Sequence, residues 1–291
     1  KHNTLHPMTV KLEYKSMSEV EHVLHRPDTF IGSVVNSSHK STFVALQDDR
    51  IIEKDVTYPP GLVRIFIEIL SNVIDNKWRS DQMGIPCKQF KVSIDKETGV
   101  TRVVNDGNTI PVEMKEGGKY LPEQIFGRFR TSSNYNDSEE RKTSGRNGLG
   151  SKLANIFSSS FTFKTYDRHT STHYSQRWTN NMSNVGTPKI TSTKKTPYTM
   201  IEWIPDFKRF GLDGYTDDII DLFRKYTYDA AMITGIPTHF NNHRIPIKKL
   251  ADYARLYIRP ECTSMVVPLN TRDSKVVVCP TAKGEFVHIS F

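Results

Sequence analysis

A carboxylate, Glu68, stands one helical turn before an amide, Asn72, and a second carboxylate, Asp75, follows Asn72 by three residues. A carboxylate can take a proton from water. An amide oxygen is a neutral, hard ligand for Mg2+, a cation that keeps waters and substrate phosphates as its other ligands. The pair would set a metal and an attacking water side by side. The periodicity around these residues predicts a helix over 62–77. At about 100° per residue, Arg64, Ser71, Asn72, Asp75 and Asn76 fall on the same side as Glu68. Val63, Phe66, Ile67, Ile69, Leu70, Val73 and Ile74 cover nearly all of the rest, and Ile65 is the one apolar residue on the polar side. A helix apolar over most of its circumference is largely buried, so its thin polar strip is expected to line a cavity. A solvated stripe is the ordinary alternative. Such a stripe is usually rich in Lys and Glu, whereas this one holds an acid, an amide and a second acid.

Two further segments have the right chemistry. Val103-Val104 runs into Asn105-Asp106-Gly107. Asp-Gly is a hairpin signal, but Pro111 removes a donor from the segment that would return. An amide or carboxylate at such a turn can receive the exocyclic amine of a purine. The second segment is Ser144-Gly145-Arg146-Asn147-Gly148-Leu149-Gly150-Ser151-Lys152. Its glycines let backbone N–H groups approach a ligand closely, and a helix starting near Ser151 would turn its positive end toward phosphate. The loop is not a Walker A loop, because Ser151 and Lys152 are in the wrong order. Its GxxGxG spacing is neither the Rossmann nor the kinase pattern, and a polar loop, not a strand, precedes it.

These segments need a scaffold. Ser16–His25 is expected to form a short helix, with Ser16 as N-cap and Glu19 at the capping-box position. Strands are expected at 90–95 and 100–104, joined as a hairpin, and at 161–166, 173–179, 189–193 and 199–204. Residues 131–147 read as a long polar loop. Helices are expected at 151–157, 217–232 and 250–258, with a hairpin at 239–247 turning on Asn241-Asn242. Strands return at 274–279 and 285–291. The fold class is α+β, a helix layer on a mostly antiparallel sheet, followed by the start of a second domain. Both ends read as cuts within a longer chain.

Composition sets outer bounds. No apolar run approaches the roughly 20 residues that span a bilayer. The net charge of +8 suits a polyanionic partner, though the Lys and Arg residues are scattered along the sequence. Cys87, Cys262 and Cys279 are too widely spaced for a zinc site or a disulfide framework.

The helix with ExxxNxxD, the Asn105-Asp106-Gly107 turn and the GxxGxG loop occur in the order found in the GHKL ATPases. That superfamily holds the gyrase-type topoisomerases, heat-shock chaperones, mismatch-repair ATPases and histidine kinases. HVLHRPDTFIG at 22–32, FGRFRTSSNYND at 126–137, SGRNGLGSKLANIFS at 144–158 and the segment 278–291 narrow the resemblance. Over nearly its whole length the chain resembles the N-terminal ATPase region of eukaryotic-type DNA topoisomerase II.

The resemblance implies a GHKL (Bergerat-type) ATPase domain over 1–258, including an N-terminal arm, and the beginning of a transducer domain over 259–291. It implies ATP and Mg2+ as ligands and Glu68 as general base. Asn72 is the Mg2+ ligand, with Asp75 and Asn76 beside it in the nucleotide site. Asn105 faces the adenine, and Thr199 contacts the base or its water. Ser132, Ser133 and Asn134 meet the ribose and phosphates. Gly145, Arg146, Asn147, Gly148, Leu149, Gly150, Ser151 and Lys152 wrap the triphosphate. Tyr14 lies in the arm that crosses into the partner subunit's site. A homodimeric gate, double-stranded DNA as the partner of the longer enzyme, no membrane and a nuclear location follow, an organelle being the alternative compartment. The transducer lysine that reaches the γ-phosphate is expected beyond Phe291, and no DNA-cleavage module lies within this stretch. Thr109 stands at the second glycine of the family's DxGxG turn, Leu149 where many relatives have Tyr, and Ser151 where many have Ala. Another GHKL ATPase, or a basic DNA-binding module with a dead nucleotide site, are the rival readings. The TSSNYND lid speaks against the first, and the presence of both Glu68 and Asn72 against the second.

Overall fold

The computed structural model describes residues 17–115, 117–128, 149–192 and 196–258, with the backbone of three strands between 267 and 290. The described chain opens with α1 (Glu19–His25) and α2 (Pro27–Phe30). The Ser18 hydroxyl accepts from the Glu21 N–H, and the Glu21 carboxylate accepts from the Ser18 N–H. The capping box therefore lies two residues later than the expected Ser16–Glu19 pair. Both serines have a glutamate three residues on, so spacing cannot choose between them. The frame starting at Ser18 turns Val23 into the core.

Next come β1 (Ser37–Ala45) and β2 (Ile51–Tyr58), an antiparallel hairpin not expected from the sequence. β1 is exposed along most of its length, and its register shifts between His39 and Thr42, with Ser41 at φ 52°. Such a bulge breaks the alternation by which a strand is recognised. α3 (Pro60–Gln82) follows, then the hairpin β3 (Phe90–Ile94) and β4 (Thr101–Asn105). β5 (Met114–Lys115) and β6 (Lys119–Tyr120) pair briefly before α4 (Leu121–Gly127) and α5 (Gly150–Ile156). β7 (Ser158–Asp167), β8 (Thr172–Thr179), β9 (Asn184–Val185), β10 (Lys189–Ser192) and β11 (Tyr198–Pro205) then lead to α6 (Asp217–Thr234). β12 (Thr238–Phe240) and β13 (His243–Arg244) turn on Asn241 and Asn242, at φ 46° and 65°, the positive angles that a two-residue hairpin turn demands. After α7 (Leu250–Arg255), the strands β14 (Val267–Asn270), β15 (Lys275–Pro280) and β16 (Phe286–Ser290) form an antiparallel sheet of their own.

The main sheet runs β10-β8-β7-β11-β4-β3-β12-β13, with β9 beside β8. Every pairing is antiparallel except β12 on β3. This is the expected α+β fold, a mixed sheet under a layer of helices. α3 is its central rod. Pro60 sits in its first turn, where a missing N–H costs nothing. Leu62, Val63, Ile65, Phe66, Ile69, Leu70 and Val73 are all buried. Ile65, the apolar residue placed on the polar side, is thus part of the core, and the polar strip is narrower than periodicity implied. Phe66 stacks on Phe223 of α6 with ring centroids 4.0 Å apart and planes 3° from parallel.

Candidate active site

Four polar residues recur at every fourth position of α3: Glu68, Asn72, Asn76 and Ser80. The Glu68 carboxylate is held on one side by Arg64, whose Nη2 lies 2.5 Å from Oε1. On the other side is the first residue of α5. A Cβ built on Gly150 would lie 2.2 Å from Glu68 Oε2 and 3.2 Å from Glu68 Cβ. Any side chain at 150 would have to push the Glu68 side chain aside. Asn72, one turn further, presents its side chain to solvent, while Asp75 is buried. Asn76 Nδ2 donates to the Asp106 carbonyl at 3.2 Å and so ties α3 to the end of β4.

At that end Asn105 is buried, on the same helix-facing side of β4 as Thr101 and Val103. It stands in register between Phe90 of β3 and Thr199 of β11. Thr199 and Asn105, both expected near the base, are therefore direct cross-strand neighbours. The Asn105 amide donates to the Asp106 carbonyl at 2.9 Å. The Asp106 carboxylate is bound into the loop before β3, accepting from the N–H groups of Lys88 at 2.6 Å and Gln89 at 3.1 Å. Gly107 has φ 100°, and a Cβ there would lie 2.7 Å from Ser80 Oγ, so a side chain is excluded by conformation and by space alike. Ser80 Oγ donates to the Asn76 carbonyl at 2.6 Å and accepts from the Asn108 N–H at 2.8 Å. No strand follows the turn to pair back with β4, whose neighbours are β3 and β11; this is the arrangement Pro111 pointed to.

The glycine loop enters the described chain at Leu149, which is partly buried against the core, and Gly150 opens α5. Ser151 is partly exposed. Lys152 is 1% exposed, and burial pushes its ammonium down to about 8. α5 is fixed beneath by Leu153, Ala154 and Ile156, and by Asn155, whose Nδ2 donates to the Phe126 carbonyl of α4 at 3.0 Å. Tyr14, Ser132, Ser133, Asn134, Gly145, Arg146, Asn147 and Gly148 lie outside the described residues. The structure thus brings together Glu68, Asn72, Asn76, Asn105, Thr199, Gly150 and the start of α5. Three residues of the surrounding framework have no signal in the sequence that marks them for the site. Ser80 is one further four-residue step along α3, three residues beyond the expected helix, and the roughly 40° drift of each such step carries it off the polar strip to a buried position. Thr109 appeared only as a departure from the glycine pattern, and its partner Asp167 carried no signal.

Among the described residues the chemistry available includes a proton acceptor at Glu68, an exposed amide at Asn72 and a buried ammonium at Lys152, with Glu68 set against a glycine that no side chain can replace without a shift. Such a set fits a polyphosphate carrying Mg2+, which leaves most of its coordination shell to phosphates and water. Comparison with known proteins supports the ATP part of this reading. The sequence profile of the histidine kinase-, DNA gyrase B-, and HSP90-like ATPases matches residues 57–183. DNA topoisomerase 2 of Saccharomyces cerevisiae is 41% identical over 256 residues, which cover 87% of this chain and 18% of that protein. DNA topoisomerase 2 of Invertebrate iridescent virus 6 is 40% identical over 261 residues, covering 85% of this chain and 23% of that protein. The chain therefore spans about a fifth of the length of these relatives. The crystal structure of the ATPase region of Saccharomyces cerevisiae topoisomerase II superposes with a TM-score of 0.84 at 38% identity, over 92% of this chain and 71% of that one. The ATPase and transducer domains of DNA topoisomerase II from Balamuthia mandrillaris give 0.84 at 36% identity, over 94% and 69%. From its fold, its site and these relatives, the chain belongs to the GHKL ATPase regions of the type II DNA topoisomerases.

Proposed function

We propose that this chain binds ATP with Mg2+ between α3, the Asn105–Gly107 turn and the start of α5, and hydrolyses it. The observation that carries this is the Glu68 carboxylate set against the backbone of Gly150, with Asn72 one turn away. Glu68 accepts the proton of the attacking water. Asn72 supplies the protein's ligand to Mg2+, which when bound draws charge from the phosphate oxygens. Lys152 and the N–H groups of the Gly145–Gly150 segment receive the polyphosphate. Ser132, Ser133 and Asn134 take the ribose side, with Asp75 and Asn76 behind the strip, and Asn105 and Thr199 hold the base. Replacing Glu68 with Gln should leave ATP affinity nearly intact and lower turnover by about 10²–10⁴-fold. Turnover at the parent rate would remove Glu68 from the role of base.

In the longer protein we assign this domain, over 1–258, to an ATP-driven homodimeric gate. Tyr14 reaches the partner's site, the segment from 259 opens a transducer, and the gate captures a DNA duplex for passage. The +8 charge suits that partner. The nucleus is the compartment that goes with this work. Cross-linking of the longer protein with and without a non-hydrolysable ATP analogue tests the gate. Equal dimer yields in both conditions would refute it.

A further inference from the structure

On the side of the base turn away from α3 lies a buried carboxylate with no part in the chemistry above. Asp167 ends β7 and is 0% exposed. Its Oδ1 accepts from Thr109 Oγ1 at 3.1 Å and from the His169 N–H at 3.1 Å. Its Oδ2 accepts from the Val112 N–H at 3.1 Å and from Thr170 Oγ1 at 2.8 Å. Burial opposes the charge, but these four donors outweigh it and hold the carboxyl below its ordinary range. Thr109 Oγ1 in turn accepts from the Arg168 N–H at 3.2 Å, and Arg168 Nη2 donates to the Gly107 carbonyl at 3.2 Å. The segment 107–112 is thus bound to the tip of the β7–β8 hairpin at three points: Gly107, Thr109 and Val112. From the opposite side, Ser80 and Asn76 of α3 grip Asn108 and Asp106. A glycine at 109 could make neither of the two side-chain bonds that Thr109 makes.

We propose that Asp167 is a positioning residue for the base end of the nucleotide site: with Thr109 and Arg168 it fixes the turn next to Asn105 and thereby sets how strongly adenine is preferred. The proposal rests on the nucleotide reading above. Asp167 is remote in sequence from the motifs of the site and acts through the turn. Its loss should register on the base and not on the phosphates.

The test is a comparison of Asp167→Asn, Thr109→Val and Thr109→Ser with the parent chain. Affinities for ATP, GTP and inorganic tripolyphosphate are measured by calorimetry, KM and kcat by single- and multiple-turnover hydrolysis, and Tm alongside. In Asp167→Asn the amide N–H₂ faces groups that are themselves donors. Its ATP affinity and ATP-over-GTP preference should fall by about tenfold, the equivalent of one buried hydrogen bond left unmade. The loss should appear in KM, with kcat within about twofold and tripolyphosphate affinity unchanged, since the turn does not reach the phosphate chemistry. Thr109→Val should shift the same way, and Thr109→Ser, which keeps the hydroxyl, should match the parent. A folded Asp167→Asn with parental ATP affinity and ATP-over-GTP preference overturns the proposal. So does a uniform loss of ATP, GTP and tripolyphosphate binding together with Tm, which marks a purely structural role. A parent chain that binds no ATP overturns the nucleotide reading, and the proposal with it.

Discussion

Replacing Gly150 with Ala separates catalysis from folding at a single atom. The new Cβ would sit 2.2 Å from Glu68 Oε2, 3.1 Å from Glu68 Cδ and 3.2 Å from Glu68 Cβ. An ordinary carbon–oxygen approach is roughly 3.3 Å, so the carboxylate must retreat by about 1 Å. The helices themselves are locked by Leu153, Ala154, Ile65 and Phe66, all buried, so the flexible end of Glu68 is what moves. A misplacement of about 1 Å in a reacting group can cost on the order of 10²-fold in rate, or about 2.7 kcal/mol of barrier. Gly150 is helical, and its φ is outside the left-handed region. Ala should therefore favour the folded state by about 0.4–1 kcal/mol by lowering the entropy of the unfolded chain. The expected signature is a Tm equal to or above the parent's, with hydrolysis about a hundredfold slower. Single-turnover hydrolysis of radiolabelled ATP, which reads slow rates directly, measures the second quantity, and a thermal melt the first. Parental hydrolysis by a well-folded Gly150→Ala would show that the Glu68–Gly150 contact does not hold the reacting geometry. A fall in Tm would show that the clash is taken up by the core.

Three further outcomes are expected. Asn72→Ala leaves the buried faces of α3 intact, so nucleotide affinity should fall in Mg2+ and change little in EDTA; equal losses in both buffers would contradict a ligand role. Burial holds Lys152 down at about 8, against an ordinary 10.5, so the folded state binds fewer protons than the unfolded one between those values. Stability should therefore rise with pH through that window. ATP binding near pH 8.5 should take up a proton, because the polyphosphate favours the ammonium; calorimetry in buffers of different ionisation heat reads this, and Lys152→Met should abolish it. Phe66→Ala removes a fully buried ring stacked on Phe223 and should cost about 3–5 kcal/mol in chemical denaturation.

The candidate strip on α3 was legible in the sequence, because α-helical periodicity projects Glu68, Asn72, Asp75 and Asn76 onto one side of the helix whatever the rest of the chain does. Most of the strands had the alternation that a half-buried sheet imposes, as in β3, where Phe90, Val92 and Ile94 are buried while Lys91 is exposed. The β1–β2 hairpin was not legible, since a bulge and an exposed face remove that alternation. Thr109 and Asp167 meet only because β7 crosses the sheet beside β11, which lies beside β4. No local pattern can announce a contact between residues 58 apart in the chain. The capping box was misplaced for the opposite reason: Ser16 and Ser18 offer the same local motif, and only the burial of Val23 decides between them.

The fourfold recurrence of Glu68, Asn72, Asn76 and Ser80 makes α3 a ruler. From Glu68 to Ser80 the helix rises by about 18 Å. One end of that interval carries the proposed proton acceptor, and the other pins the turn beside Asn105. The span is set by peptide geometry, so no side-chain substitution can lengthen or shorten it. Inserting one residue would rotate half of the stripe by about 100° and break it. On the binding mode proposed above, a ligand anchored by its base at one end would be measured at the other. A polyphosphate one unit too short or too long would place its terminal group off the carboxylate, however well its base was held.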